Sequence, residues 1–192
     1  VDSVWATSEF VQLLDAAATA TGVRPGSGPE QDVSLRILAD HARSSAFLIS
    51  DGVYPSNEDR GYVLRRIMRR AIRHAYLLGV DDVVTPSIIS TVVDLMGADY
   101  PELVDHQAVV RDVAEREEVR FRETLRTGSA ILDTELEQVG DDQLGGSVAF
   151  RLHDTYGFPL EVTQEIARER GVEVDTDGFE VEMAAQRQRA KD

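Results

Sequence analysis

Apolar residues recur at helical spacing along nearly the whole chain, and few stretches alternate apolar with polar as a strand would. The pattern predicts an all-α fold, an irregular helical array in a single domain over residues 1–192. From Ser8 to Thr21, Phe10, Val11, Leu13, Leu14 and Ala17 share one side, and the segment stops at Gly22. The stretch "GVRPGSGPEQD" then predicts a flexible loop over about 23–32. Helical spacing resumes from Asp32 to Ile49 with Leu35, Ile37, Leu38, Ala42 and Phe47, and breaks at Asp51-Gly52 and Pro55. Another helix begins at about Thr85, where Thr-Pro offers an N-cap and a first-turn proline. Between Pro101 and Val139, Val110, Val113, Phe121 and Leu125 are scattered among charges and interrupted at Gly128. That reads as a long, solvated helical hairpin, braced by i,i+4 pairs such as Asp112 with Arg116 and Glu118 with Arg122. A turn at Tyr156-Gly157 and a helix from about Pro159 follow.

The segment "GVYPSNEDRGYVLRRIMRRAIRHAYLLG", from Gly52 to Gly79, has the sharpest separation of faces. On a wheel at about 100° per residue, Arg65, Arg66, Arg69, Arg70 and Arg73 fall within an arc of about 140°, together with Tyr62 and Tyr76. Leu64, Ile67, Met68, Ala71, Ile72, Ala75 and Leu78 fill the opposite arc. One side is predicted to be core and the other a cationic ridge. Ser56 or Asn57 is placed to cap the helix, with Asp59 completing a capping box, and Gly79 suits the position just past its end.

Composition changes the meaning of that ridge. The chain has 35 acidic and 20 basic residues and a formal net charge of -15, which on average disfavours a polyanionic partner. Yet six of the residues from 60 to 73 are arginine (Arg60 and the five above), and none is acidic, leaving roughly -21 for the rest. Like charges at i,i+4 repel, and exposed ion pairs contribute only about 0–1 kcal/mol each, so pairing with the chain's own carboxylates is a weak reason for the crowding. A ridge facing an external polyanion, or an acidic protein in a helical protein-interaction module, accounts for it better. Zero cysteines excludes disulfides and thiolate zinc sites. The absence of a long apolar run and of a basic, hydrophobic leader predicts no membrane segment and a cytoplasmic protein. Gly26-Ser27-Gly28 lacks the Lys-Ser/Thr of a phosphate loop. Asp40-His41 suggests a metal-dependent phosphohydrolase only weakly, because those enzymes use His-Asp in that order with further ligands.

"LRILADHARSSAFLISDGVYPSNEDRGYVLRRIMRRAIRHAYLLG" resembles the alanyl-tRNA synthetase family, and "FRLHDTYGFPLEVT" is similar to a second stretch of it in the same order. The resemblance covers nearly the whole chain and points to the helical middle region that binds the tRNA acceptor stem. It implies that Asn57, in Pro-Ser-Asn, and Asp154, in Asp-Thr-Tyr-Gly-Phe-Pro, recognise the acceptor-stem G·U pair of tRNA(Ala). A carboxylate and an amide oxygen both suit the free guanine 2-amino donor of a wobble pair in the shallow A-form minor groove. Arg60, Arg65, Arg66, Arg69, Arg70, Arg73 and Tyr62 would hold the backbone nearby. Asp59 departs from the family's usual small or polar residue and adds negative charge beside the contact. The family's adenylation and editing motifs are not found, so the resemblance implies no catalytic residue, cofactor or metal here. ATP, magnesium and the adenylation domain would belong to a longer parent enzyme that charges tRNA with alanine.

Overall fold

The computed structural model describes residues 3–139 and 143–189, and the fold within them is all-α. Among the described residues there is no strand, only one isolated parallel bridge between Leu144 and Val174. The chain divides into two compact units, Val1–Arg122 and Glu123–Asp192.

The first unit starts with a 3-10 turn at Val4–Ala6 and continues with α1 (Ser8–Thr21), α2 (Pro29–Ser50), α3 (Asp59–Leu77), α4 (Thr85–Met96), α5 (Pro101–Asp105) and the first half of α6 (Gln107–Val139). Helix α1 stops where the pattern predicts, at Gly22 with φ 71°. Helix α2 begins earlier than its spacing suggests, with Pro29 in the first turn, where its missing N–H costs nothing. The loop before it is correspondingly short, and Asp32 reaches back to accept the Gly26 N–H at 2.7 Å. Helix α2 is the spine of the unit and packs against α1, α3, α4 and α5. It can do so because Ala39, Ala42, Ser45 and Ala46 are buried among larger residues and let neighbouring backbones come close. Leu13, Leu38, Leu64, Ile88, Val92 and Leu103 are fully buried in the shared core, each contributing about 1.5–3 kcal/mol by leaving water.

The readings at Thr85 and in the charged stretch need correction. Thr85 does not cap α4; Val84 holds the N-cap position, and its side chain makes no capping bond. The cap comes instead from Glu118 on α6. Its fully buried carboxylate accepts the N–H of Val84 at 3.1 Å, the N–H of Thr85 at 2.8 Å and the Thr85 hydroxyl at 2.5 Å. Arg122 supplies the counter-charge at 2.9 Å and spans to the Val80 carbonyl at 2.6 Å. The predicted Glu118–Arg122 pair exists, but it is buried rather than solvated. The Asp112–Arg116 pair is exposed, as expected.

Nor does the helix break at Gly128, because α6 runs through it for 33 residues. In the second unit, which also holds α7 (Gly146–Tyr156), α8 (Leu160–Glu169) and α9 (Thr176–Arg189), that glycine makes room. A Cβ on Gly128 would lie 2.4 Å from the ring of Phe158, which is fully buried. Helix α7 packs on α9, and Leu144 ties the chain to Glu173 and Asp175 through backbone bonds of 2.8 and 2.9 Å.

Candidate nucleic-acid interface

The loop between α2 and α3 carries Asn57. It leaves α2 through Gly52, at φ 83°, and folds back on the first turn of α3, where the Ser56 N–H donates to the Gly61 carbonyl at 3.2 Å. The approach is too close for any side chain at position 61. A Cβ there would meet the Tyr54 carbonyl oxygen at 2.4 Å and Ser56 Oγ at 2.2 Å. Neither Ser56 nor Asn57 caps α3. The N-cap is Glu58 without a side-chain bond, and Ser56 Oγ donates instead to the Glu58 carbonyl at 2.8 Å. Asp59 enters the helix at φ 51°, a left-handed conformation that favours glycine and that Asp tolerates better than most residues. Around this turn lies an open basin of about 480 Å³, lined by Tyr54, Ser56, Asn57, Asp59 and Arg60 among others.

The arginines form two stripes rather than the single open ridge that the wheel predicts. Arg60, Arg66 and Arg70 are exposed. Arg65, Arg69 and Arg73, at successive i+4 positions, turn inward: Arg73 is only 2% exposed, and Arg65 and Arg69 lie against α6. There the buried Glu117 carboxylate accepts from Arg69 Nε at 2.7 Å and forms an ion pair with Arg65 Nε at 3.5 Å, a distance and angle that make no hydrogen bond. Arg69 also stacks over Phe121, with its guanidinium 4.9 Å from the ring centroid. Polarity alone cannot separate a helix face turned to water from one turned to an internal carboxylate, and α3 has both. Tyr62 is half-buried.

Arg65 links this inner stripe to the loop. Its guanidinium donates to Asn57 Oδ1 and, at 3.3 Å, to the Pro55 carbonyl. Burial pulls the Arg65 guanidinium below its ordinary value; Glu117 opposes that shift, and Arg69 and Arg120 add to it. A guanidinium starts so high that it remains a cation throughout.

His41 is held at the edge of the outer stripe. Arg70 donates to its Nε2 at 3.3 Å, and its Nδ1 faces Asp40 Oδ2 at 3.1 Å. Because a guanidinium only donates, Nε2 must accept, which fixes the neutral tautomer with the proton on Nδ1. Burial also lowers the His41 pKa, against the pull of Asp40 and with Arg70 and His74 adding to the lowering. A metal ion would need the nitrogen that Arg70 occupies, and among the described residues no group of three or more His, Asp or Glu could hold one. The hydrolase reading finds no support in this geometry. His74 is buried and bonded to Ser34 Oγ at 3.0 Å.

Asp154 sits in the second unit, exposed in the last turn of α7, where its carboxylate accepts from the Gln186 side chain of α9. The residues after it are structural. Gly157, at φ 65°, ends α7 while the Phe158 N–H returns to the Leu152 carbonyl at 3.0 Å, Phe158 is the buried anchor, and Pro159 is the N-cap of α8. Glu117 is the residue that the sequence pattern does not single out, and Glu118 enters it only as a solvated partner of Arg122, not as a buried cap. Their signal is position: they interrupt the stripe Val110, Ala114, Phe121, Leu125 at its core-facing spacing, where a carboxylate needs a buried partner.

The family described as tRNA synthetases class II (A) matches residues 1–192. An alanine–tRNA ligase from Frankia casuarinae is 51% identical over the whole chain, which covers 22% of that protein. Those from Ruegeria pomeroyi and a Parafrankia species are 51% and 52% identical over 96% and 93% of the chain, covering 21% of each. The chain thus spans about a fifth of the length of the curated relatives it matches. With a family match over its full length and half of its residues shared with these ligases, the chain belongs to the class II (A) tRNA synthetases.

Proposed function

We propose that this chain is the tRNA-recognising region of an alanine–tRNA ligase and that it binds the acceptor stem of tRNA(Ala). The outer stripe carries the reading: three guanidiniums, those of Arg60, Arg66 and Arg70, are exposed within about 120° of one helix on a chain of net charge -15. They grip ribose-phosphate without reading sequence, and Tyr62 packs beside them. Arg65, Arg69 and Arg73 take a supporting part, since their guanidiniums are turned inward. Asn57 and Asp154, both exposed and polar, read the G·U wobble pair in the wide minor groove of A-form RNA. Attachment of alanine, with the ATP and magnesium it uses, belongs to other parts of the longer enzyme.

Paired acceptor-stem hairpins that differ only in G·U against G·C test this. The G·U hairpin is expected to bind more tightly, with Asn57→Ala and Asp154→Ala each shrinking the difference by about 1–3 kcal/mol. Arg66→Ala should weaken both hairpins equally and reduce the slope of log affinity against log salt by about one contact. Equal affinity for the two hairpins would overturn base reading. Displacement of the RNA by an acidic protein at matched charge would favour a protein-docking role instead.

A further inference from the structure

Asn57 is exposed, yet its side chain is not loose. Its Oδ1 accepts from Arg65, the other arm of Arg65 reaches the Pro55 carbonyl, and the same guanidinium is anchored by Glu117, which is 6% exposed. Arg65 itself is 18% exposed and shares Glu117 with Arg69. The chain of contacts therefore runs from a buried carboxylate on one helix, through a guanidinium, to a surface amide on a loop.

The chemistry of the pair fixes more than position. Guanidinium has donors only, so whichever way the amide is drawn, the oxygen must face Arg65. The planar amide then directs its Nδ2 away from the guanidinium. We infer that Arg65, braced by Glu117, is the positioning residue that sets the orientation of the Asn57 amide, holding its oxygen inward and presenting its Nδ2 at the surface. This inference deepens the acceptor-stem reading above and rests on it for its RNA part, whereas the orientation of the amide does not depend on RNA.

Two measurements on the 192-residue chain separate these. The first is 15N relaxation of the Asn57 side-chain amide without RNA. It should show restricted motion in the parent chain and in Asp154→Ala, and the mobility of an unpinned surface amide in Arg65→Ala. An amide as restricted in Arg65→Ala as in the parent overturns the positioning role. The second is the ratio of G·U to G·C hairpin affinity. Arg65→Ala should lower it as far as Asn57→Ala does, with no further loss in the double variant and with the salt slope unchanged. A slope reduced by about one with the ratio kept would make Arg65 a phosphate contact and overturn the inference. Should the parent chain show no preference between hairpins, the RNA reading falls, while the relaxation result still decides on Arg65.

Discussion

Asn57 and Asp154 carry the same proposed duty, yet their surroundings are built differently. Asn57 lies on a loop that the first unit holds from three sides: Gly61 lets the backbone close on itself, Ser56 bonds across the turn, and Arg65 brings a buried carboxylate to bear on the side chain. Asp154 lies on a helix, and its one side-chain bond among the described residues comes from Gln186, a flexible group on the last helix of the second unit. The rigid parts there are Gly157 and Phe158, which fix where α7 ends and leave the carboxylate at the surface. A loop residue needs a clamp because its backbone supplies no order of its own, whereas a helical residue inherits order from its helix. Pre-organisation is thus a side-chain property at one site and a backbone property at the other.

The largest test of that contrast is at the two glycines that permit close approach. Gly61→Ala sets a methyl group against a backbone carbonyl that cannot rotate away, and should cost about 2–3 kcal/mol in urea unfolding, with increased hydrogen exchange around residues 54–61. Gly128→Ala meets an aromatic ring that can tilt, and the better helix propensity of Ala returns about 1 kcal/mol. Its net cost should be about 1 kcal/mol, with increased exchange confined to the second unit. Equal losses would mean that the Asn57 loop is no more tightly built than the Phe158 packing.

Asp59→Gly relieves a left-handed residue at the clamp and should stabilise the chain by about 0.5–1 kcal/mol, read as a higher urea midpoint. On the other side, Gln186→Ala removes its bond to Asp154 and should change stability by less than about 0.5 kcal/mol while leaving α7 intact by circular dichroism. A larger loss would make the second site a clamp as well. The smallest effect is in pH dependence. The native pKa of His41 lies below its unfolded value, so the unfolded chain takes up more protons as pH falls below about 6.5, and stability declines in that direction. The groups acting on the ring are Asp40, which favours the charged form, and Arg70 and His74, which oppose it. His41→Gln should flatten the fall in thermal midpoint between pH 7 and 5.5, and an unchanged fall would place its origin elsewhere.

Much of this was legible beforehand where local rules govern. The limits of α1, the breaks at Gly52 and Gly79, and the turn at Gly157 follow from periodicity and from glycines that adopt positive φ. The wheel of α3 correctly separated Leu64, Met68, Ala71 and Ala75 from the arginines. It failed on the arginines themselves, because Arg65, Arg69 and Arg73 face a second neighbour that is itself charged. Gly128 was misread for a related reason: glycine weakens a helix locally, but a ring packed from another segment offsets that weakness.

The amino-acid order by itself determined the helices, most of their ends, the clustering of positive charge and the family to which the chain belongs, since propensity, spacing and motif are properties of neighbouring residues. Only the tertiary structure decided which guanidiniums reach solvent, that Glu118 caps a helix it does not belong to, and that Arg65 turns the Asn57 amide. Each of these depends on a carboxylate some 30 to 60 positions away in sequence, Glu118 from Val84 and Glu117 from Arg65 and Asn57, and the free energy of a buried charge is set by what folding brings beside it.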